Sequence, residues 1–222
     1  LAGRATVGKP CFAMKLLIAT RNPHKRREIG QILAVPSLEL VGLDDFPALP
    51  EVVEDRETFR GNAVKKAVEM AAATKLWTLA DDSGLEADAL GGEPGVRSAR
   101  YAGAPVSYAA NNAKLLKALE KVADRTARFR CAVALSDPAG RARTVEAACE
   151  GLLIGECRGR EGFGYDPLFV PEGYSLTFAE LDPEVKNRIS HRGRALRLAA
   201  ETWAEVLKGS PDALAAGSGQ RH

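Results

Sequence analysis

Trp77-Thr78-Leu79-Ala80-Asp81-Asp82-Ser83-Gly84 sets a short apolar run against two adjacent carboxylates and a glycine. The first four residues suit a buried strand, which places Asp81 and Asp82 at its carboxyl end, where open α/β sheets gather their ligands. Two neighbouring acids at the edge of a core are costly unless a cation compensates them. Magnesium, a hard ion that takes carboxylate oxygens, is the natural compensator. Asp-Ser-Gly is also common turn chemistry, so on its own the tetrapeptide reads equally as an acidic turn. Its companions along the chain decide.

Upstream, Lys15-Leu16-Leu17-Ile18-Ala19-Thr20 reads as a buried strand. Asn22 and Pro23 then supply an N-cap and a first helical residue. The helix, about residues 23 to 34, carries an apolar stripe of Ile29, Ile32 and Leu33. Strand end, helix start and Lys25 fall within Thr20-Arg21-Asn22-Pro23-His24-Lys25. Free N–H groups, the positive helix end and an ammonium suit an anion there, although a capped helix with a solvent-facing basic turn fits the same letters. Leu38 to Val41 reads as a second strand. The loop from Asp44 to Glu57 is acidic, with Asp44, Asp45, Glu51, Glu54, Asp55 and Glu57 against Arg56 alone. Between about residues 60 and 75, Ala63, Ala67, Met70, Ala71 and Thr74 form the buried side of a helix. Phe59, Asn62 and Lys66 lie along a second line that suits a ligand.

Downstream, the glycines and prolines of residues 91 to 105 read as a loop, and Val106 to Val122 as a helix. Phe129 to Leu135 and Thr144 to Ile154 make a hairpin around Asp137-Pro138-Ala139-Gly140. After a loop from Gly159 to Asp166 comes a short strand, Pro167 to Val170. Ser190 caps a last helix with Ala195, Leu198, Ala199, Thr202, Trp203 and Val206 as its core stripe. Strands interleaved with helices, plus a hairpin, predict one α/β unit with a mixed sheet over residues 14 to 208. Residues 1 to 13, upstream of Met14, read as a leader or tag remnant. Residues 209 to 222 read as a polar tail, and Gly8-Lys9 lacks the rest of a phosphate loop.

With 222 residues, 45% hydrophobic and 27% charged, the chain has the composition of a soluble globular protein rather than a disordered one. A net charge of +2 argues against a nucleic-acid partner and leaves any polyanion to be bound locally. Cys11, Cys131, Cys149 and Cys157 show neither a C-x-x-C pair nor zinc-ligand spacing, which suits reduced thiols in the cytoplasm. No apolar run approaches the roughly 20 residues that span a bilayer, so no membrane partner is expected.

Ser190-His191-Arg192-Gly193 opens a helix with two strong donors, after a proline-led turn that holds Lys186. They suit either an ordinary surface or the acceptors of a base. Phe163-Gly164-Tyr165-Asp166-Pro167 sets aromatic rings around a glycine that lets a flat ligand approach the backbone, which suits a stacked nucleobase.

Six landmarks together resemble the inosine triphosphate pyrophosphatase family, which hydrolyses non-standard purine nucleoside triphosphates. They are Thr20-x-Asn22-x-x-Lys25; Glu54 with Thr58-Phe59-x-x-Asn62-Ala63; Asp81-Asp82-Ser83-Gly84-Leu85; Pro94-Gly95-Val96-x-Ser98-Ala99-Arg100-Tyr101; Phe163 to Pro167; and Ser190-His191-Arg192. The resemblance runs from Met14 to about Leu207. It implies an elongated, twisted mixed sheet flanked by helices, two lobes with the active cleft between them, and a homodimer. It also implies cleavage of inosine, deoxyinosine or xanthosine triphosphate between the α and β phosphates, giving a monophosphate and pyrophosphate.

By the same resemblance Asp82 is the general base and a magnesium ligand, Glu54 is the second metal ligand, and Asp81 ranks lower. Thr20, Arg21, Asn22, Pro23, His24 and Lys25 grip the triphosphate, with Lys66 and Ser83 close by. Phe163 stacks on the base, flanked by Gly164 and Tyr165. Asp166 senses the edge where guanine bears its amino group, and Lys186, His191 and Arg192 direct donors at the 6-keto oxygen. Adenine offers an amino donor there and would leave those groups unpaired. Two positions depart from the family pattern: Gly61, often a glutamate, and Glu161, often a glycine. Two other readings remain: a related-fold pyrophosphatase for modified pyrimidine or methylated nucleotides, and a non-catalytic nucleotide- or RNA-binding module suggested by Lys25-Arg26-Arg27.

Overall fold

The computed structural model describes residues 14–34 and 36–208. The expectations for the leader, Cys11, Gly8-Lys9 and the tail lie outside the described residues. In chain order the elements are β1 (Met14–Ile18), α1 (Pro23–Ile32), β2 (Leu38–Gly42), α2 (Phe59–Thr74) and β3 (Trp77–Ala87). These are followed by α3 (Tyr108–Ala118), β4 (Thr126–Ser136), β5 (Ala142–Leu153), β6 (Phe169–Pro171), α4 (Pro183–Ile189), α5 (His191–Thr202) and α6 (Ala204–Leu207).

Six strands form one mixed sheet in the order β2-β1-β3-β4-β5-β6. β1 runs parallel to β2 and β3, whereas β3, β4, β5 and β6 are successively antiparallel. The acid pair is placed differently from the expectation. Asp81 and Asp82 lie inside β3, because β4 supplies ladder partners from Thr78 to Ala87, with Val133 opposite Asp81 and Ala132 opposite Asp82. The strand that ends there is β1, whose pairing with β3 stops at Ile18 and Leu79. The acids therefore flank the point where the sheet's parallel portion gives out.

Alternation along β3 then sends the two acids to opposite faces. Leu79 packs with Leu16, Ile18, Ile29, Leu196 and Trp203 on the face covered by α1 and α5. Ala80 packs with Leu17, Ala63, Ala67 and Met70 on the face covered by α2. Asp81 shares the face of Leu79, and Asp82 that of Ala80. A third apolar cluster, with Leu85, Leu115, Phe129, Phe169 and Phe178, fills the other end of the sheet.

The last helix is in part a correction. Ala195, Ala199, Trp203 and Val206 are buried as expected, but Leu198 is 41% exposed and Thr202 faces solvent, while Leu196 takes the core position. α5 ends at Thr202 and α6 restarts at Ala204, so the expected single helix is two segments. The Gly-rich segment also holds more than a loop. Gly95–Arg100 form a 3-10 turn packed on β3. A Cβ on Gly84 would lie 2.3 Å from Ser98 Oγ and 2.6 Å from Gly95 O, so only glycine lets the turn approach so closely. A 3-10 turn at Asp166–Leu168 delays the short strand to Phe169.

Candidate active site

On the α2 face, Thr58 caps the helix by accepting from Gly61 N, and Asn62 follows one turn in, fully buried. Asn62 Nδ2 donates to Asp82 Oδ2 at 3.0 Å, while its Oδ1 accepts from Arg56 N at 2.9 Å. The amide is therefore fixed, and so is the carboxylate. One turn further along the same line, Lys66 donates to Glu54 Oε1 at 2.5 Å and to the carbonyl of Asp81 at 2.7 Å. Its ammonium lies 3.9 Å from Asp82 Oδ1. Arg100 donates to the Glu54 carbonyl at 3.0 Å, tying the acidic loop to the 3-10 turn. Burial pushes the Asp82 carboxyl up, and Lys66 and Lys25 do not fully offset it while Glu54 adds to it. Glu54 is also raised by burial, but Lys66, Lys25 and Arg100 bring it below its ordinary value.

On the α1 and α5 face the charges close into a chain. Asp81, fully buried, lies 3.0 Å from Lys25 Nζ and accepts from Arg192 Nε at 3.1 Å. Burial opposes the charge, but Lys25 and Arg192 hold this carboxyl far below the usual carboxylate range. Arg192, 2% exposed, also donates to Ser83 Oγ at 2.7 Å and to Glu28. Glu28 accepts from Lys186 Nζ at 3.0 Å, and Lys186 donates onward to Asp166 Oδ2 at 2.7 Å. Burial raises the Asp166 carboxyl above its ordinary value despite Lys186. Three cations thus alternate with three carboxylates along this side.

Glu28 is the functional residue that sequence reading missed. Its one local signal is position: it lies three residues beyond Lys25, on the same flank of α1. His191 stacks on Phe129 with centroids 4.6 Å apart, and its Nδ1 is buried without a partner among the described residues. Burial, reinforced by Arg192 and Lys186, lowers its pKa well below 6.5, so the imidazole is neutral at neutral pH.

Both faces open on one cavity of about 530 Å³, a size that suits a small-molecule site. Its walls include Thr20, Arg21, Asn22, Lys25, Glu54, Lys66, Asp82, Ser83, Phe163, Gly164, Tyr165, Asp166, Lys186, His191 and Arg192. Of the expected site residues, Pro23 and His24 do not line it. Pro23 is the first residue of α1, and the His24 ring stacks on Phe163. Of the two aromatic residues beside Gly164, Tyr165 is buried and donates its hydroxyl to Ser98 O at 2.9 Å, which makes it a wall. Phe163 is half-buried.

No group of three or more histidines, cysteines or acids arranged for a metal occurs among the described residues. At Gly61, often a glutamate in the resembling family, an added Cβ would lie 2.8 Å from Arg56 Cβ, so this helix start brings no third carboxylate. Glu54 and Asp82, side by side around Lys66, offer hard oxygen donors, a set that suits an ion keeping its remaining positions for water and phosphate.

A model of the Ham1 family matches residues 16–202. The dITP/XTP pyrophosphatase of Desulforamulus reducens is 53% identical over 190 residues, 85% of this chain and 94% of the relative. A solved structure of a nucleoside-triphosphatase (dITP/XTP pyrophosphatase) from Mycobacterium abscessus is 46% identical, with a TM-score of 0.70, over 84% of this chain and 98% of the other. The structure of a HAM1 protein from Coxiella burnetii superposes with a TM-score of 0.80 at 38% identity, covering 86% of this chain and 99% of that one.

Proposed function

Because this chain belongs to the Ham1 family, we infer that it hydrolyses non-standard purine nucleoside triphosphates, dITP and XTP among them, to a monophosphate and pyrophosphate. The observation that carries the reading is the sharing of one cavity by two kinds of charge cluster. One is a self-neutralised chain ending at Phe163 and Asp166, the other an under-neutralised pair of acids beside Lys66. A nucleotide has two ends that call for such a division.

Glu54 and Asp82 hold a magnesium ion, which when bound neutralises phosphate charge and supplies ordered water. Phosphoryl chemistry asks the protein mainly for positioning and charge. Asn22 takes the N–H groups of His24 and Lys25, so at the start of α1 it is the Lys25 ammonium, with the positive helix end, that takes phosphate oxygens, and Lys66 takes others. Asp82, oriented by Asn62, accepts a hydrogen bond from the attacking water and then its proton.

At the other end, Lys186 and Arg192 aim donors at a 6-keto acceptor, and neutral His191 offers its ring edge. Asp166, occupied by Phe163 N and Lys186, fixes both rather than meeting the base with a free carboxylate. The Phe163 loop and the His191-Arg192 pair disfavour the related-fold pyrimidine reading, and the near-neutral charge disfavours RNA binding.

Residues 14–208 act as one domain, in a homodimer and in the cytoplasm. The buried free thiols of Cys131 and Cys149 agree with a reducing setting, and no described helix is long and apolar enough to cross a membrane. The test is pyrophosphate release from dITP with magnesium, without it, and after chelation. Release that is lost on chelation and restored by magnesium is expected. Equal release from dATP, or none from dITP, would overturn the reading.

A further inference from the structure

Asn22 accepts from both His24 N at 2.9 Å and Lys25 N at 3.3 Å, so the first turn of α1 is locked. The two side chains then part: Lys25 goes to Asp81, whereas the His24 ring lies on Phe163, centroids 5.1 Å apart and planes 20° from parallel. On the same phenyl ring, Lys186 Nζ sits 5.2 Å and Arg192 Cζ 5.4 Å from the centroid. Phe163 therefore occupies the space in front of the donors that read the base.

A purine whose 6-keto edge is to meet those donors needs the space that the phenyl ring now fills. The cations cannot retreat, for Glu28, Asp81 and Asp166 hold them. The Phe163 backbone is held too, its N–H donating to Asp166 Oδ2 at 2.8 Å. What can yield is the phenyl ring, and His24 holds it where it is.

We propose that His24 is a latch on the base subsite: it holds Phe163 across the donors, and the incoming purine exchanges the His24–Phe163 stack for its own. This rests on the cleft's binding of a purine nucleoside triphosphate. It departs from the expectation that the side chain of His24 grips phosphate.

An aromatic pair contributes enough that removing it alters binding by about two- to tenfold. In His24→Ala the KM for dITP should fall by about that factor. His24→Phe keeps a ring on Phe163 and should keep the wild-type KM. Inorganic tripolyphosphate, which has no base, should inhibit wild type and His24→Ala with the same inhibition constant. A merely structural loss would raise both constants and would not be rescued by phenylalanine.

If His24→Ala raises KM for dITP and weakens tripolyphosphate alike, His24 grips phosphate and the latch is wrong. If KM rises while tripolyphosphate is unaffected, His24 is a partner of the bound base and the latch is again wrong. An unchanged KM also removes it. Wild-type hydrolysis of dITP in the same assay keeps the two questions apart: its absence would sink the functional reading, whereas its presence with any of these outcomes would sink the latch alone.

Discussion

Asp81 and Asp82 are neighbours on one strand, both buried, and their carboxyl groups are driven in opposite directions. Asp81 faces α1 and α5, where Lys25, Lys186 and Arg192 match Glu28, Asp81 and Asp166 charge for charge. Asp82 faces α2, where Lys66 serves both Glu54 and Asp82, half-exposed Arg100 adds to Glu54, and Lys25, committed to Asp81, reaches both only at longer range. Burial alone would raise both acids. What differs is the supply of counter-charge, and it separates a self-neutralised scaffold from a pair of acids left short of partners. Asp166 belongs to the first kind nonetheless: burial raises its carboxyl, and Lys186, which also serves Glu28, offsets only part of that.

The sharpest way to break the contrast is to neutralise each acid in turn. Asp82→Asn should lower dITP turnover by about a thousandfold, the scale of a lost general base with its charge. Its stability should stay near wild type, because the change relieves a carboxylate short of partners. Asp81→Asn should do the reverse first. It leaves Lys25 and Arg192 buried against a neutral group, a loss of about 3–5 kcal/mol by analogy with broken buried ion pairs. Urea unfolding and pyrophosphate release measured on both variants decide the matter. Two variants equally stable, or equally inactive at full stability, would mean that the faces do not divide the labour.

Part of this division was legible in the sequence and part was not. β1, β2, α2 and the β4–β5 hairpin follow from apolar periodicity and turn residues, which are local properties. The position of the acids within β3 was not legible. A hydrophobic pattern stops at Ala80, but the backbone ladder continues wherever a partner strand offers it, and β4 lies about fifty residues away in sequence, with Val133 opposite Asp81. Family resemblance pointed to Asp82, Glu54 and Arg192, and the fold brings them to one cavity. Glu28 escaped because its meaning is held by distant partners: Lys186 is 158 residues away and Arg192 is 164. The exposure of Leu198 and Thr202 was illegible for a different reason: the buried stripe of α5 runs through Arg192, Ala195, Leu196 and Ala199, and these two residues lie to one side of it.

Glu28 gives the gentlest test of the same contrast, through pH. Burial would raise its carboxyl, but Arg192 and Lys186 prevail and the folded-state pKa lies below the ordinary glutamate value of 4.5. A depressed acid stabilises the fold above its unfolded pKa, and that contribution fades as the pH falls through the folded value. Glu28→Gln keeps the shape and an acceptor but not the charge, so at pH 7 it should cost about 2 kcal/mol, the scale of a charged hydrogen bond. The cost should shrink on acidification below 4.5, as wild-type Glu28 itself becomes protonated, until the two proteins unfold at nearly the same urea concentration. A gap that stays constant from pH 7 into the acid range would show that Glu28 contributes by packing, and that the three-against-three charge match does not stabilise this side of the cleft.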